Sequence, residues 1–365
     1  MTLDSWRSWP RSRTVWFGLA ALALVLLPLV LQPLGSGWIR IVATALLYVM
    51  LALGLNIVVG YAGLLDLGFV AFYTVGAYMV ALFTSPHLAE QFAGFAQVFP
   101  QGMHAPVWLL IPAAAGLAAL AGVLLGTPVL KLRGDYLAIV TLGFGEIIRV
   151  FMNNLEHPVN ITNGPRGLDR IDPITVFGVN LGQPLVLNAP WGEWRLPSVT
   201  LYYWLFLALV VLSVVVCRRL EDSRIGRGWM AIREDEVAAR AMGIHTRNLK
   251  LLAFGMGAVF GGVAGAMFAS FQGFVSPESF RLEESVIIVA MVVLGGVGHV
   301  PGVIVGALLL AALPEVLRYV AGDIQNLTGG RIDAAILRQL LIAVAMIAVM
   351  LLRPRGLWPA PEARR

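Results

Sequence analysis

Charged residues are scarce in this sequence. Asp, Glu, Lys and Arg make up 13% of its 365 residues, whereas 58% are hydrophobic and the mean hydropathy is +0.80. A soluble domain of this length carries more charge, because its surface needs polar side chains to stay in water. We therefore expect a membrane protein. The net charge of +5 does not indicate nucleic-acid binding, since the basic residues are dispersed between apolar segments.

The residues needed for several kinds of chemistry are also missing. A single cysteine, Cys217, excludes an internal disulfide bond. The lysines, Lys131 and Lys250, each follow leucine, so the sequence has no G-K-[ST] phosphate loop with which to hydrolyse ATP. The five histidines are scattered and form no H-E-x-x-H or comparable ligand set. The sequence therefore predicts no enzyme: no catalytic residue, no metal and no cofactor.

Long apolar runs take up most of the chain. A helix needs about 20 apolar residues to cross about 30 Å of hydrocarbon. Reading the runs against the polar breaks predicts an all-α, polytopic membrane protein with about ten transmembrane helices in one domain over residues 1–365. The predicted spans are 15–34, 39–59, 64–83, 107–130, 136–152, 201–217, 251–271, 286–297, 303–320 and 334–352.

The basic residues predict the orientation of these spans. Lys and Arg near the ends of spans are retained in the cytoplasm, and most of the 26 basic residues fall in segments 7–13, 131–133, 218–250 and 353–365. Both termini and the polar loop 221–250 are therefore expected to be cytoplasmic.

Two polar segments are expected on the opposite side. Segment 153–200 is rich in Pro, Gly and Asn and carries turn signals such as Asp172-Pro173, which predict an ordered external loop. Segment 85–106 has no Lys or Arg, and its aromatic residues suit the membrane interface.

Glycine-rich breaks interrupt the apolar stretches at 60–63 and at 295–302. One interpretation is a tight turn between antiparallel spans. The other is an interrupted span that lines a transport pathway, because freed backbone groups are tolerated where they face a cavity. Gly295 and Gly296 are candidates for the second role.

Segment 233–243, within the predicted cytoplasmic loop, has the features of one short helix. Glu234 and Asp235 suit its N-terminus, Gly243 suits its C-terminal end, and Glu236 and Arg240 are spaced for an i, i+4 ion pair. An apolar and a charged stripe follow at helical spacing. The apolar stripe comprises Met230, Val237, Ala241 and Ile244. The charged stripe comprises Arg233, Glu236, Arg240 and Arg247. Such a helix either docks into a partner's groove or lies in the membrane interface.

Asn56, Asp66 and Glu146 lie inside the predicted spans. Ionisable groups there are costly and often mark a substrate pathway. Two other features also explain why the spans tolerate these carboxylates: the Asp66 side chain can snorkel to the membrane interface, and Glu146 can pair with Arg149 three residues further along. Glycines at four-residue spacing indicate close helix packing. They are Gly257, Gly261 and Gly265, and Gly298, Gly302 and Gly306.

Segment 226–244, GRGWMAIREDEVAARAMGI, resembles the cytoplasmic coupling region of LivM-type permeases of branched-chain amino acid ABC importers. The resemblance extends from about residue 39 to the tail, a far more specific signal than one short motif. Its other segments are 54–56, 60–68, 72–78, 132–136, 162–168, 261–269, 293–296 and 353–357.

The resemblance implies a permease subunit of a bacterial inner-membrane importer for leucine, isoleucine and valine. Its implied partners are a second related permease, two cytoplasmic ATPases and a periplasmic amino-acid-binding protein. The residues expected to couple transport to the ATPases are Arg233, Glu234, Asp235, Glu236, Arg240 and Gly243.

One feature departs from the broader pattern of ABC importers. Glu236-Val237-Ala238 precedes Gly243 with one residue more than usual, so the resemblance carries the coupling role to the segment more firmly than to single side chains. A related ABC permease for urea, short amides or sugars is the alternative. An ion-coupled secondary transporter would instead use buried carboxylates such as Asp66 and Glu146.

Overall fold

The computed structural model describes residues 22–130, 132, 134–176, 178–189 and 192–327, with short parts of 336–358. Helices dominate these residues, so the predicted all-α membrane fold is confirmed. The helices are α1 (Leu22–Leu31), α2 (Ser36–Asn56), α3 (Val70–Thr84), α4 (His87–Gln91), α5 (Ala93–Val98), α6 (Val107–Val129), α7 (Asp135–Asn154), α8 (Ser198–Glu221), α9 (Arg224–Glu234), α10 (Glu236–Ala241), α11 (Thr246–Gln272), α12 (Leu282–Gly295) and α13 (Val300–Leu327).

Within the described residues, five helices are long and apolar enough to cross a membrane. They are Ser36–Tyr61, Val107–Val129, Ser198–Glu221, Thr246–Gln272 and Val300–Leu317. These match five predicted spans closely, because uninterrupted apolar runs set their bounds. The count of ten spans is not confirmed. Residues 15–21 of the first span, 15–34, about half of the tenth, 334–352, and most of the basic residues of segments 7–13, 131–133 and 353–365 lie outside the described residues.

Two predicted spans differ in their bounds from the helices that form. The third was predicted from residue 64, but its helix α3 begins only at Val70, and residues 64–69 are largely non-helical. Here Gly68 lies so close to the backbone carbonyl of Thr141 on α7 that a side chain would collide with it. Tertiary packing of this loop therefore overrides the apolar pattern. The eighth was predicted over 286–297, and its helix α12 is slightly longer, at 14 residues, but ends earlier, at Gly295.

Helix α11 lies at the centre of the bundle, where it packs against α2, α3 and α6. Its small residues permit this contact, as their four-residue spacing predicts. A Cβ added to Gly261 would lie 2.9 Å from that of Phe72, and one added to Gly265 would overlap the backbone of Tyr73. The packing role predicted for Gly257, Gly261 and Gly265 is thus confirmed.

Segment 153–200 contains two antiparallel hairpins, formed by β1 (Thr175–Val176) with β2 (Val179–Asn180) and by β3 (Leu185–Ala189) with β4 (Gly192–Leu196). Exposed ion pairs tie this segment to segment 85–106. His104 Nδ1 lies 2.6 Å from Asp172 Oδ2, and Arg170 Nη2 lies 2.8 Å from Glu90 Oε1. We call these four residues the loop clasp. The hydrogen bond to Asp172 raises the pKa of His104 above its ordinary value.

Candidate functional site

The segment predicted to couple to an ATPase is two helices and not one. Helix α9 ends at Glu234, and α10 begins at Glu236. Asp235 lies between them with an extended backbone, and its Oδ1 accepts hydrogen bonds from the N–H groups of Val237 and Ala238. The prediction of one helix over 233–243 was therefore wrong. An aspartate capping the first free N–H groups of a helix is a common start signal, and it decided the break.

The end of α10 matches its prediction. Gly243 has φ +84°, a left-handed conformation that glycine adopts without strain. The N–H of Ile244 donates to the carbonyl of Ala239, 3.1 Å away, which closes the turn found at many helix ends. This ending separates α10 from α11, which begins at Thr246.

Glu236 makes two ion pairs. Its predicted partner Arg240 lies 3.1 Å away, and Lys250 on α11 lies closer, at 2.7 Å. The hydrogen bond from the Lys250 ammonium lowers the pKa of the Glu236 carboxyl, and Arg240 adds to the effect. The sequence missed Lys250 as a partner because it lies on the next helix, 14 residues along the chain from Glu236.

Helix α9 is anchored by a buried tryptophan. Trp229 is fully buried, and its indole N–H donates to the carbonyl of Leu249, 2.7 Å away in α11. Gly226 and Gly228 allow α9 this close to its neighbours, since a Cβ on either would collide with Leu220 or Leu249. A movement of α9 is thereby tied to the first turn of α11.

The outer face of α10 is free of such anchoring. Val237 is 71% exposed and Met242 is 83% exposed. The predicted apolar stripe is not one continuous face, because Met230 belongs to α9 on the other side of the break. Exposed apolar side chains beside charged ones are typical of a surface that meets another protein.

The first glycine-rich break continues α2 as a π-helix, Ile57–Tyr61. π-helical turns within α-helices occur often at functional sites. Asn56 precedes this turn and is fully buried, and its Oδ1 accepts a hydrogen bond from the N–H of Gly298, 2.9 Å away. The break at 60–63 therefore begins in this π-helical turn and runs into the non-helical residues that connect α2 to α3.

Arg233 joins the coupling segment to the π-helical end of α2. Its Nη1 donates to the carbonyl of Gly60 at 2.5 Å, and its stem crosses Gly63, where a Cβ would lie 2.8 Å from Cγ. The same guanidinium borders Gly298, where an added Cβ would lie 2.9 Å from Nη1. We call Asn56, Gly60, Arg233 and Gly298 the glycine junction. It brings both glycine-rich breaks and the coupling segment to one point.

Gly295 and Gly296 pack against residues 356–358. Gly295 is the last residue of α12, and its carbonyl accepts a hydrogen bond from the N–H of Trp358. The N–H of Leu357 donates to the carbonyl of Leu294 at 2.8 Å. Gly302 presses on Gly295 so tightly that neither position has room for a side chain. The predicted packing role of Gly302 is thus confirmed, while Gly298 belongs to the junction.

The two carboxylates predicted inside the spans lie away from the glycine junction. Asp66 is buried in the non-helical loop before α3, and its Oδ1 accepts a hydrogen bond from the N–H of Gly68. Glu146 lies on α7, where it is 41% exposed and pairs with Arg149, which also lies 3.5 Å from Glu278. Neither is part of the glycine junction.

A cavity of about 340 Å³ lies under the coupling segment. Polar groups from three parts of the chain line it: Asp135, Arg233, Glu236 and Lys250. Its remaining wall includes Gly63 and Leu65 from the loop after the π-helix. Within the described part of the chain, no three His, Cys, Asp or Glu side chains are grouped to hold a metal ion.

Comparison with known proteins identifies the family. A family model described as "Branched-chain amino acid transport system / permease component" matches residues 37–350. The high-affinity branched-chain amino acid transport system permease protein LivM of Escherichia coli is 42% identical over 336 residues, which cover 88% of this chain and 70% of that protein.

More distant relatives include both kinds of permease. The probable LivM of Methanocaldococcus jannaschii is 25% identical over 86% of this chain and 90% of its own length. The permease protein LivH of Escherichia coli is 23% identical over 87% of this chain and 93% of its own length. No solved structure matches the chain significantly. A family model that covers most of the chain, together with a relative at 42% identity, shows that this chain belongs to the permease family of branched-chain amino acid ABC importers.

Proposed function

We propose that this permease moves leucine, isoleucine and valine across a bacterial inner membrane, and that the glycine junction transmits the work of separate ATPases to the pathway. The observation that supports this most strongly is the contact of Arg233 with the carbonyl of Gly60. It joins the segment that resembles a docking element directly to the π-helical end of α2.

The proposed sequence of events starts on α10. A cytoplasmic ATPase would seat the exposed side chains of Val237 and Met242 in an apolar groove, and Glu236 and Arg240 would fix the register. When the ATPases close on ATP, α10 and α9 move together. Because Trp229 ties α9 to α11 and Arg233 ties it to Gly60, the π-helical turn and the start of α13 follow.

The remaining coupling candidates have supporting roles in this proposal. Asp235 caps α10 and permits an angle between the two docking helices, Glu234 ends α9, and Gly243 turns the chain into α11. Each therefore sets the direction of a helix and does not itself need to contact the ATPase.

Of the pathway candidates, Asn56 is assigned as a hinge residue, because its amide oxygen holds Gly298 while the π-helical turn lies next to it. Gly295 and Gly296 permit close backbone contact at the same place. Asp66 orders the loop before α3. Glu146 is assigned to the ion pair with Arg149, and no transport role is proposed for it.

The proposed assembly places loop 221–250 and both termini in the cytoplasm and segment 153–200 outside. A second related permease completes the pathway, since relatives of both the LivM and LivH kinds match this chain. Two ATPases supply hydrolysis, and a periplasmic binding protein delivers the amino acid.

Reconstitution tests the proposal. The tagged chain is purified in mild detergent with the proteins that accompany it, and the complex is placed in liposomes with the binding protein loaded with radiolabelled leucine. We expect uptake that depends on ATP inside the liposomes and on every component. Uptake of leucine by this chain alone without ATP would overturn the proposal, as would ATP-driven uptake of a sugar or urea in place of leucine.

A further inference from the structure

Helix α5 lies outside the packed bundle. None of the residues Ala93–Val98 is buried, whereas α4 beside it buries Ala89. The segment that carries both short helices leaves α3 after Thr84 and enters α6 at Val107. The N–H of Ala105 donates to the carbonyl of Phe83, 3.3 Å away, so the segment returns to the level at which it left α3. Both short helices therefore lie at one end of α3 and α6, at a membrane surface.

One face of α5 is apolar. Its apolar side chains recur three or four residues apart, a spacing that places them on one side of a helix. They are Phe92, Phe95, Val98 and Phe99. Val98 is 69% exposed, and the rings of Phe95 and Phe99 lie 5.4 Å apart, centre to centre. A cavity of about 580 Å³ is lined by these side chains. Gln97 lies on the other side of α5 and is exposed, so the helix is amphipathic.

Charged residues are almost absent from this segment. Within residues 85–106, the sequence has one residue among Asp, Glu, Lys and Arg, which is Glu90. It is paired with Arg170 in the loop clasp and is turned to the protein by that contact. A soluble partner is usually steered and oriented by charged groups around the apolar centre of its interface. The neutral surface around α5 favours an apolar medium instead.

The apolar face of α5 adjoins the lipid-facing surface of a membrane-spanning helix. Helix α6 starts nine residues after Val98, and its exposed side is apolar over several turns. In a helix that crosses the membrane, such a side meets the hydrocarbon. Its exposed leucines are Leu109, Leu117, Leu120 and Leu124. Trp108, in the first turn of α6, is exposed at the end where tryptophans mark the boundary between lipid and water. Because α5 lies at this same end, its apolar face continues a surface that lipid already covers.

We propose that α5 lies in the interfacial layer of the lipid leaflet at this surface. Phe95, Val98 and Phe99 face the acyl chains, and Gln97 faces water. Amphipathic helices of this kind bury their apolar face roughly 5–10 Å deep at the boundary of headgroups and acyl chains. The loop clasp connects this anchored segment to the hairpins of segment 153–200. The lipid contact of α5 thereby sets the height of the hairpins above the membrane.

Spin labelling of the full-length chain in liposomes tests this position. The sole cysteine, Cys217, is buried, so Cys217→Ala provides a background in which Val98→Cys and Gln97→Cys are labelled one at a time. Collision rates of the label are measured with oxygen, which concentrates in lipid, and with a nickel chelate, which stays in water. We expect an oxygen-to-nickel ratio several-fold higher at position 98 than at position 97. The matched reference is Val186→Cys at an exposed valine of β3, whose ratio should resemble that at position 97.

Removal of the apolar face provides a second test. Phe95→Ser together with Phe99→Ser should lower the ratio at position 98 towards that at position 97, whereas Val179→Ser, at an exposed valine of β2, should leave it unchanged. The midpoint of thermal unfolding confirms that each variant is folded.

Equal ratios at positions 97 and 98 would overturn the proposal. A label at position 98 that is open to nickel and becomes shielded when a soluble binding protein is added would also overturn it, because the face would then belong to a protein partner. An unchanged ratio after both serine substitutions would show that the apolar face does not hold the helix in lipid. These measurements use neither ATP nor leucine, so their outcome is independent of the proposed transport function.

Discussion

The glycine junction and the loop clasp both join parts of the chain that are distant in sequence, but they do so with different physics. At the junction, the buried amide of Asn56 and backbone groups meet across glycines that leave no room for a side chain, and the exposed Arg233 reaches them from α9. At the loop clasp, exposed ion pairs connect two loops through solvent-accessible side chains. Buried close packing transmits displacement because it cannot deform gradually. Exposed ion pairs are weak and screened, so they hold the loops without transmitting much.

The largest effect is expected from adding one methyl group at the junction. Gly60→Ala would place a Cβ into the side chain of Asn56 and 2.8 Å from the N–H of Gly298. The helical backbone tolerates alanine, so the consequence is steric. We expect uptake by the reconstituted complex to fall at least tenfold, from overpacking of about 1–3 kcal/mol. The control is Gly116→Ala on α6, where a Cβ meets nothing within 4 Å. Equal uptake by the two variants would refute the steric role of the junction.

A charge reversal on α10 should have the next largest effect. Glu236→Arg would place a third positive charge beside Lys250 and Arg240, which now pair with Glu236 at 2.7 and 3.1 Å. We expect uptake and ATPase stimulation to drop several-fold with normal membrane insertion, since the pair with Arg240 is exposed and contributes only modestly, whereas Lys250 is largely buried. Exchanging the charges, with Glu236→Lys and Lys250→Glu together, should recover part of the loss. Full uptake by Glu236→Arg would remove this pair from the coupling mechanism.

Two Trp→Phe substitutions allow a direct comparison between a hydrogen bond inside the bundle and an exposed hydrogen bond at the loops. Trp229→Phe removes the N–H that donates to Leu249 within the bundle, and Trp108→Phe removes the one that donates to Thr175 at the loops. The buried carbonyl left without its donor costs about 1–3 kcal/mol, whereas water replaces the donor at the exposed site. The thermal-unfolding midpoint should therefore fall more for Trp229→Phe. A larger fall for Trp108→Phe would reverse the comparison.

The smallest effect concerns pH at the loop clasp. Asp172 raises the pKa of His104 above its ordinary value, so the stabilisation is fully present below that ordinary value, near 6.5. It is lost as the pH rises through the raised pKa. Hydrogen exchange at residues 170–176, corrected for intrinsic rates, should show better protection at low than at high pH. His104→Gln should remove the difference. The same pH dependence in the variant would assign it to another group.

The sequence predicted those parts of the fold that local patterns determine. Helices α2, α6, α8 and α11 follow from apolar length, and the turn at Gly243 follows from a glycine after a helix-forming run. The late start of α3 could not be predicted, because it depends on the contact of Gly68 with α7. A loop shaped by a neighbour leaves no periodic signal in its own sequence.

The candidate site was predicted in its parts but not in its assembly. Arg233, Asn56 and the glycine-rich breaks were each identified, but the contact of Arg233 with Gly60 joins residues 173 positions apart. The break at Asp235 was misread because an aspartate near a helix start suits the first turn and the capping position equally. Only the hydrogen bonds to Val237 and Ala238 distinguish the two.

The central claim is that Arg233 carries the movement of the docked segment to the π-helical end of α2. It is tested most directly by the number of leucine molecules transported per ATP hydrolysed in proteoliposomes. Arg233→Gln keeps α10 intact for docking but replaces the charged donor to Gly60, and Arg219→Gln, at an exposed arginine near the end of α8, is the matched control. We predict that Arg233→Gln hydrolyses ATP at close to the wild-type rate and transports at least tenfold less leucine per ATP, while Arg219→Gln keeps the wild-type ratio. A wild-type ratio in Arg233→Gln would contradict the account.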